Sequence, residues 1–316
     1  MSNGATAVVD RSPPNESTRR RRWRSWRSRT GFPLLLVAPV AILVGIGVIF
    51  PLAYIVLLGA ADYSPYLGKP LRWVGLDNYA RVFGDASFWS ALRASLIWVV
   101  GSVVPQFLLG LGMALMLNET FRGRGIVRTI ILAPWAVSGV VTGFIWLWLF
   151  DGTIGVINDL LLRVGAIDAA VPWGIYPATA WAMVFVANAW RGAPFFAIVI
   201  LAALQTIDAA LYEAANIDGA TRWQKFRHVT LPLILNAIVV ATLLRALWTF
   251  NFIDLLWTMT HGGPAGETTT LPIYIFDVIY QKGEFGYGAA LSLVLCVMLV
   301  TFSGMYWQLN RLTRTG

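Results

Sequence analysis

The amino-acid sequence predicts an all-helical protein that crosses a membrane six times. Of its 316 residues, only 13% carry a formal charge and 57% are hydrophobic, and the mean hydropathy is +0.66. A soluble core cannot bury that much apolar surface, whereas a bilayer can accommodate it. The single cysteine, Cys296, lies within an apolar run, which excludes a disulfide framework and a cysteine-based metal site.

Six apolar segments are long enough to cross the hydrocarbon core, which requires about 20 residues per helix. A tail of residues 1–31 precedes them, and we predict that it is disordered and that residues 32–316 form the transmembrane domain. The predicted spans are residues 32–60, 92–117, 127–150, 178–205, 233–259 and 286–309.

The placement of Lys and Arg predicts the orientation. Seven arginines lie between Arg19 and Arg29, just before the first span. If the N-terminus is cytoplasmic, sixteen Lys and Arg residues fall on the cytoplasmic side and six on the outer side. By the positive-inside rule, both termini are then cytoplasmic. We interpret the basic tail as an orientation signal near anionic lipid rather than a nucleic-acid-binding element.

The sequence lacks the common catalytic and nucleotide-binding patterns. Its two histidines, His228 and His261, lie in different loops, and no His, Cys or carboxylate cluster has metal-ligand spacing. None of the three lysines is followed by Ser or Thr, so the chain has no Walker A loop. We therefore expect no catalytic, metal or cofactor site on this chain, which leaves a conduit, a receptor or a subunit of a larger assembly.

A polar insert, residues 206–232, separates the fourth and fifth spans. Asp208 is suited to cap a helix that begins at the following residue, because its carboxylate can accept from free amides of the first turn. That helix should stop near Asp218-Gly219, where glycine can adopt the left-handed backbone of a helix end. The first half of the insert is therefore predicted to be one short capped helix.

A second short helix is predicted directly afterwards. Thr221 and Gln224 fit a capping box, and Leu231-Pro232 is predicted to end this helix and open the next span. Two helices this short are not stable alone. The residues alone leave open whether these helices dock on a lipid surface or in a groove of a protein. The apolar residues that need burial are Leu211, Ala215, Trp223 and Phe226.

The insert resembles the EAA loop of ABC importer permeases, in particular the maltose-permease-like subunits for carbohydrate uptake. Similarity to that family continues in AWRGAPFF at residues 189–196 and in THGGP at residues 260–264. The arginine-rich tail falls outside the shared pattern. The insert positions that match are Glu213, Ala214, Ala215, Asp218, Gly219, Phe226, Leu231 and Pro232.

This resemblance implies the type I (MetI-like) fold of ABC importer permeases. It implies a subunit that translocates a sugar or related polyol by alternating access in a bacterial or archaeal plasma membrane. The implied partners are a second homologous permease, expected to form a heterodimer, two ATPase subunits and an extracytoplasmic binding protein. ATP and Mg would be bound by the ATPase chains.

In that family the EAA loop forms a coupling helix in a cleft of the ATPase. The resemblance therefore assigns Glu213 as the carboxylate that contacts a basic group of the ATPase, and Gly219 as the residue that permits the turn. Trp223 and Phe226 are the expected anchors, because buried aromatic side chains contribute much of the binding energy of interfaces.

Polar groups inside spans are costly and indicate function. If the fifth span is one straight helix, Asn251 shares a face with Asp254, and Trp248 shares a face with Asn251. An aromatic ring beside amide and carboxylate groups suits a sugar, which stacks and hydrogen-bonds. The alternative is that these residues hydrogen-bond neighbouring helices.

Two arginines lie within the predicted spans and away from the span ends. Arg191 precedes Gly192 and Pro194, which we interpret as a helix break, so Arg191 either lines the pathway or caps carbonyls freed there. Arg245 cannot pair with Asp254 on one straight helix, because the two lie on opposite faces. We expect Arg245 to face the bundle interior, with a partner that could come from another chain.

Two other classes of function stay open on sequence grounds. A secondary transporter driven by an ion gradient needs several carboxylates deep in its spans, and here only Asp254 fits. A membrane assembly or sensor subunit without transport is the third class.

Overall fold

The structure is a computed structural model that describes residues 36–312, with the side chains of residues 309–312 outside the description. The basic tail of residues 1–31 lies outside the described residues. Among the described residues, five helices are long and apolar enough to cross a membrane. They are α1 (Leu36–Gly59), α3 (Ala86–Asn118), α7 (Pro177–Leu204), α9 (Arg222–Phe250) and α12 (Phe285–Leu312).

A sixth apolar unit consists of two helices, α4 (Arg124–Ala136) and α5 (Gly139–Leu149), which are bent by 100° at their junction. The sequence predicts one span here with a kink at Pro134. The chain breaks instead just after this proline, and the Ser138 hydroxyl caps α5 by accepting from the Val141 amide at 3.3 Å. Counted as one span, the pair brings the apolar helices to the predicted six.

The connections carry the shorter elements. A two-stranded antiparallel hairpin lies in the connection 61–91, with Ala61 opposite Trp73. Its turn uses Gly68 at φ +65°, a conformation that favours glycine. The all-helical prediction misses this hairpin, since both strands are short. The elements are β1 (Ala61–Ser64), β2 (Lys69–Trp73), α2 (Asp77–Gly84), α6 (Val156–Arg163), α8 (Ala209–Ile217), α10 (Asp254–Thr260) and α11 (Leu271–Phe276).

The core that we describe lies from Leu58 onwards, because the residues up to Leu57 belong to a separate compact unit. Helices α3 and α7 form its most extensive interface. Their backbones approach closely at Gly110, where a Cβ would meet Phe196 and the backbone of Ala193. A cluster of buried apolar side chains joins α9 to this pair, so α3, α7 and α9 together position the buried polar groups described below.

Helix α5 packs on α10 through two glycines. A Cβ at Gly139 would lie 2.9 Å from the Asp254 Cβ, and one at Gly143 would lie 2.8 Å from the Thr258 Cβ. The small-residue spacing of residues 138–143 predicts such a close helix approach, and the structure confirms it.

Replacing Gly143 by Val should destabilise the α5–α10 contact. Overpacking of this kind costs about 1–3 kcal/mol. Thermal unfolding of the detergent-purified protein measures the effect. Gly112→Val in α3 is the control, since a Cβ there has no atom within 4 Å. Equal melting temperatures of the two variants would contradict the close packing.

The predicted fifth span, residues 233–259, is not one helix. Helix α9 ends at Phe250, and α10 begins at Asp254. The Asn251 side chain donates to the Leu247 carbonyl at 3.0 Å and satisfies a carbonyl at the end of α9. The prediction that Asn251 and Asp254 share one helix face is therefore wrong, because no continuous helix connects them, whereas Trp248 and Asn251 remain three residues apart at the end of α9.

An acidic residue at the start of α3 ties three helices together. The Asp85 carboxylate accepts from the hydroxyls of Tyr274 on α11, at 2.5 Å, and Tyr287 on α12, at 2.6 Å. It also accepts from the Ser87 amide at 2.8 Å and so caps α3. Burial alone would raise the pKa of Asp85, but these hydrogen bonds lower it below its usual value.

Replacing Asp85 by Ala should lower the stability of the protein by about 3 kcal/mol, since two buried hydroxyls lose a charged acceptor and α3 loses its cap. Because the pKa of Asp85 is depressed in the folded state, its contribution is present above the unfolded pKa of about 4 and is lost as the pH falls through the folded pKa. Thermal unfolding at neutral and acidic pH measures both effects. Asp159→Ala, which removes a solvent-exposed ion pair with Arg163, is the control and should change little.

Candidate functional site

The coupling segment, residues 208–232, begins with the predicted capped helix. The Asp208 carboxylate accepts from the Ala210 amide at 3.0 Å. Helix α8 ends at Ile217, and Gly219 has φ +72°. The Ala220 amide donates to the Ala215 carbonyl at 2.9 Å and closes the helix end. The predicted start and stop of this helix are confirmed.

The second half of the coupling segment restarts at the predicted capping box. The Gln224 amide donates to the Thr221 hydroxyl at 3.3 Å, and the Thr221 amide donates to the Gln224 side chain at 2.7 Å. The predicted end at Leu231-Pro232 is wrong, since α9 runs unbroken from Arg222 to Phe250. A π-helical turn, Phe226–Thr230, precedes the proline. In this turn the Leu231 amide donates to the Phe226 carbonyl, so the chain continues past Pro232 as helix.

Several apolar side chains of the coupling segment are exposed to solvent. The exposed fraction is 88% for Ile217, 66% for Trp223 and 46% for Leu211. The Trp223 and Phe226 rings stack, with centroids 5.6 Å apart. Glu213 is exposed and has no ion pair among the described residues. The segment thus presents an ordered, partly apolar surface with an unpaired acidic group.

Arg245 lies in the interior of the bundle, with only 5% of its surface exposed. Its Nε donates to the Gln106 side-chain oxygen on α3. Gln106 in turn donates to the Asn188 carbonyl on α7 at 3.0 Å. On sequence grounds, the partner of Arg245 could come from another chain. In the structure, Gln106 of this chain is the partner. No carboxylate pairs with Arg245 in residues 36–312.

Sequence reasoning misses Gln106 and the polar side chains around it. Ser102, Gln106 and Asn188 have no exposed surface. The Ser102 hydroxyl and both polar atoms of the Asn188 side chain have no hydrogen-bond partner within the described chain. A polar pair spaced by four in an otherwise apolar run, as Ser102 and Gln106 are, is the signal that could have identified them.

Arg191 caps a helix end, although not that of its own helix. Helix α7 continues through Pro194, so the predicted break at Gly192 and Pro194 is wrong. The Arg191 Nε donates to the Val137 carbonyl at 3.0 Å, at the bend between α4 and α5. Its guanidinium also lies 4.6 Å from the centre of the Phe252 ring.

The other predicted pathway residues are more accessible. Trp248 is 49% exposed, and its ring packs edge-on against Phe195 at 5.2 Å. Asn251 and Asp254 are exposed. Asp254 lines a small cavity of about 130 Å³ together with Trp257 and Phe276. These groups could contact a substrate, whereas the buried Arg245 could not in this conformation.

Fold and site together define a polytopic helical membrane protein with an ordered segment, residues 208–232, that exposes apolar side chains. The chain belongs to the family of binding-protein-dependent transport system inner membrane components, whose model matches residues 106–314. It is therefore a permease subunit of a binding-protein-dependent importer, as the resemblance predicts.

Relatives and solved structures agree with this assignment. The chain is 34% identical to the sulfoquinovosyl glycerol transport system permease protein of Agrobacterium fabrum, over 92% of this chain and 94% of that protein. It is 35% identical to the trehalose/maltose transport system permease protein of Thermococcus litoralis, over 77% and 81%. A bacterial ABC transporter for import of the acidic polysaccharide alginate matches with a TM-score of 0.78 and 26% identity, over 92% and 98%. The predicted ABC importer permease fold is thereby confirmed.

Proposed function

We propose that this permease translocates a sugar or related polyol, delivered by an extracytoplasmic binding protein, through alternating access. Relatives at 34% and 35% identity are named for transport of sulfoquinovosyl glycerol and of trehalose and maltose. A similar solved structure, with a TM-score of 0.78, is that of a bacterial alginate ABC transporter in complex with an alginate pentasaccharide-bound periplasmic protein. These names support a carbohydrate as the class of cargo.

The coupling segment supports a separate ATPase subunit as the motor. Both of its helices are capped at their N-termini, yet Ile217 and Trp223 remain exposed. Apolar groups on an ordered surface mark a protein or membrane interface, and the resemblance to the EAA loop favours a protein. Glu213 would meet a basic group of the ATPase, while Trp223 and Phe226 would enter its cleft. This surface is the observation that carries the proposal, and ATP and Mg would be bound on the ATPase chains.

Within the membrane, we assign the substrate contacts to Trp248, Asn251 and Asp254. A sugar would stack on the indole ring and bond to the amide and carboxylate. Arg191 and Arg245 would hold the helices around the pathway through their bonds to Val137 and Gln106.

The assembly would contain a second homologous permease, expected as a heterodimer, and two ATPase subunits. The distribution of Lys and Arg supports cytoplasmic termini in a bacterial or archaeal plasma membrane. The coupling segment would then face the cytoplasm, and the connections 61–91 and 151–177 would meet the binding protein.

Purification of the intact complex in detergent tests the proposal. We expect ATPase subunits and a second permease to copurify, and native mass spectrometry to find a carbohydrate on the associated binding protein. A complex without any ATPase subunit would refute the assignment of the coupling segment, and a non-carbohydrate ligand would refute the cargo class.

A further inference from the structure

Two side-chain hydrogen bonds tie α8 to the base of α9. The Tyr212 hydroxyl and the Thr230 Oγ1 lie 2.9 Å apart, and Lys225 Nζ donates to the Asn216 side-chain oxygen at 2.8 Å. Thr230 is buried, with 5% of its surface exposed, whereas the second bond is exposed to solvent. The Tyr212–Thr230 contact is therefore the better shielded of the two, and it is not part of the apolar docking surface.

The position of Thr230 determines which span is held by α8. Thr230 is the last residue of the π-helical turn, and the same helix continues without a break to Phe250. On its other side, α8 connects to α7 through residues 205–208, which form a turn. The hydrogen bond thus supplements the short backbone connection of residues 218–221 between α8 and α9, while α8 is joined to α7 by the turn at residues 205–208.

Helix α9 carries a displacement at its base into the buried core. Arg245 lies fifteen residues beyond Thr230 on the same helix, or about 22 Å along its axis. There it bonds to Gln106 on α3, which bonds to the Asn188 carbonyl on α7. A buried cation held by one neutral acceptor is costly to separate from it, so movement of α9 at this point reaches α3 and α7.

We propose that Tyr212 and Thr230 are positioning residues that transmit the motion of the docked ATPase from α8 to α9. The inference rests on the proposed function of the coupling segment. Without the hydrogen bond, α9 would follow the ATPase only through residues 218–221 and through its own docked residues Trp223 and Phe226, so ATP would be hydrolysed with less movement of the spans.

The experiment uses the purified complex with Cys296 replaced by Ala. Leu109 of α3 and Leu235 of α9, both 48% exposed, are replaced by Cys and labelled with nitroxides. Trapping with ATP and vanadate should shift the distance between the labels in the otherwise unmodified complex. Tyr212→Phe and Thr230→Val should each lower the shifted population roughly fivefold, the effect of losing one hydrogen bond. The double variant should be no worse than either single one. The amounts of bound ATPase and of trapped nucleotide should be the same in these variants as in the unmodified complex.

Tyr280→Phe is the control, since Tyr280 is 60% exposed and lies outside the coupling segment. A full distance shift in Tyr212→Phe would overturn the proposal. Loss of bound ATPase in both single variants would also overturn it, because the pair would then support docking rather than transmission. Failure of any ATPase subunit to copurify with the unmodified chain would instead refute the proposed function itself.

Discussion

Replacing Gly219 by Val should abolish transport and its coupling to ATP hydrolysis, while the protein still inserts in the membrane. Gly219 has φ +72°, and a side chain with a Cβ resists this left-handed conformation by about 1–2 kcal/mol. The turn between α8 and α9 would open and displace both halves of the docking surface. Uptake and ATP hydrolysis by the reconstituted complex measure the loss, and membrane-fraction immunoblots measure insertion.

Gly123→Val is the matched control. Gly123 also has a left-handed backbone, with φ +84°, and at both glycines a Cβ would have no atom within 4 Å. The two substitutions therefore impose similar local strain, but only one lies in the coupling segment. Wild-type uptake by Gly219→Val, or equal loss in both variants, would show that the coupling assignment is wrong.

Replacing Gln106 by Leu should destabilise the protein severely, by about 3 kcal/mol or more, because Arg245 then has no acceptor in the bundle interior. Arg245 is 5% exposed and bonds to the Gln106 side chain, so water cannot replace that acceptor without opening the helices. Fluorescence-detected thermal unfolding in detergent gives the loss as a lower melting temperature.

The double variant Gln106→Leu with Arg245→Met separates two contributions to the stability loss of Gln106→Leu: the unpaired buried charge and the changed packing. With the cation gone, most of the stability lost in Gln106→Leu should return, since apolar replacement of buried charged groups is often neutral or stabilising. Arg245→Met alone should cost less than Gln106→Leu, because it leaves only a neutral amide oxygen unpaired. Additive losses in the double variant would contradict the direct pairing of the two side chains.

The coupling segment could be predicted from sequence because local rules determine it. Asp208, Thr221 and Gln224 act on backbone amides within three residues of themselves, and Gly219 acts through its own backbone. The close approach at Gly143 could be predicted for a similar reason, since small-residue spacing has one common structural use. The continuation past Pro232 could not, because a π-helical turn adds a residue that the proline rule does not anticipate.

The membrane interior was less predictable because its contacts are distant in sequence. Gln106 and Arg245 are 139 residues apart, and Arg191 reaches Val137 from 54 residues away. Neither pairing leaves a local signal. The break at Asn251 could not be predicted, since a mainly apolar run with a few polar residues is compatible with one long helix or with two.

Reconstitution in proteoliposomes tests the central claim most directly. The complex would be given the carbohydrate found on its binding protein, with ATP supplied on the side of the ATPase and no ion gradient. We predict uptake that depends on ATP and is lost in Gly219→Val. Uptake that requires an ion gradient and proceeds without ATP would contradict the account and favour a secondary transporter.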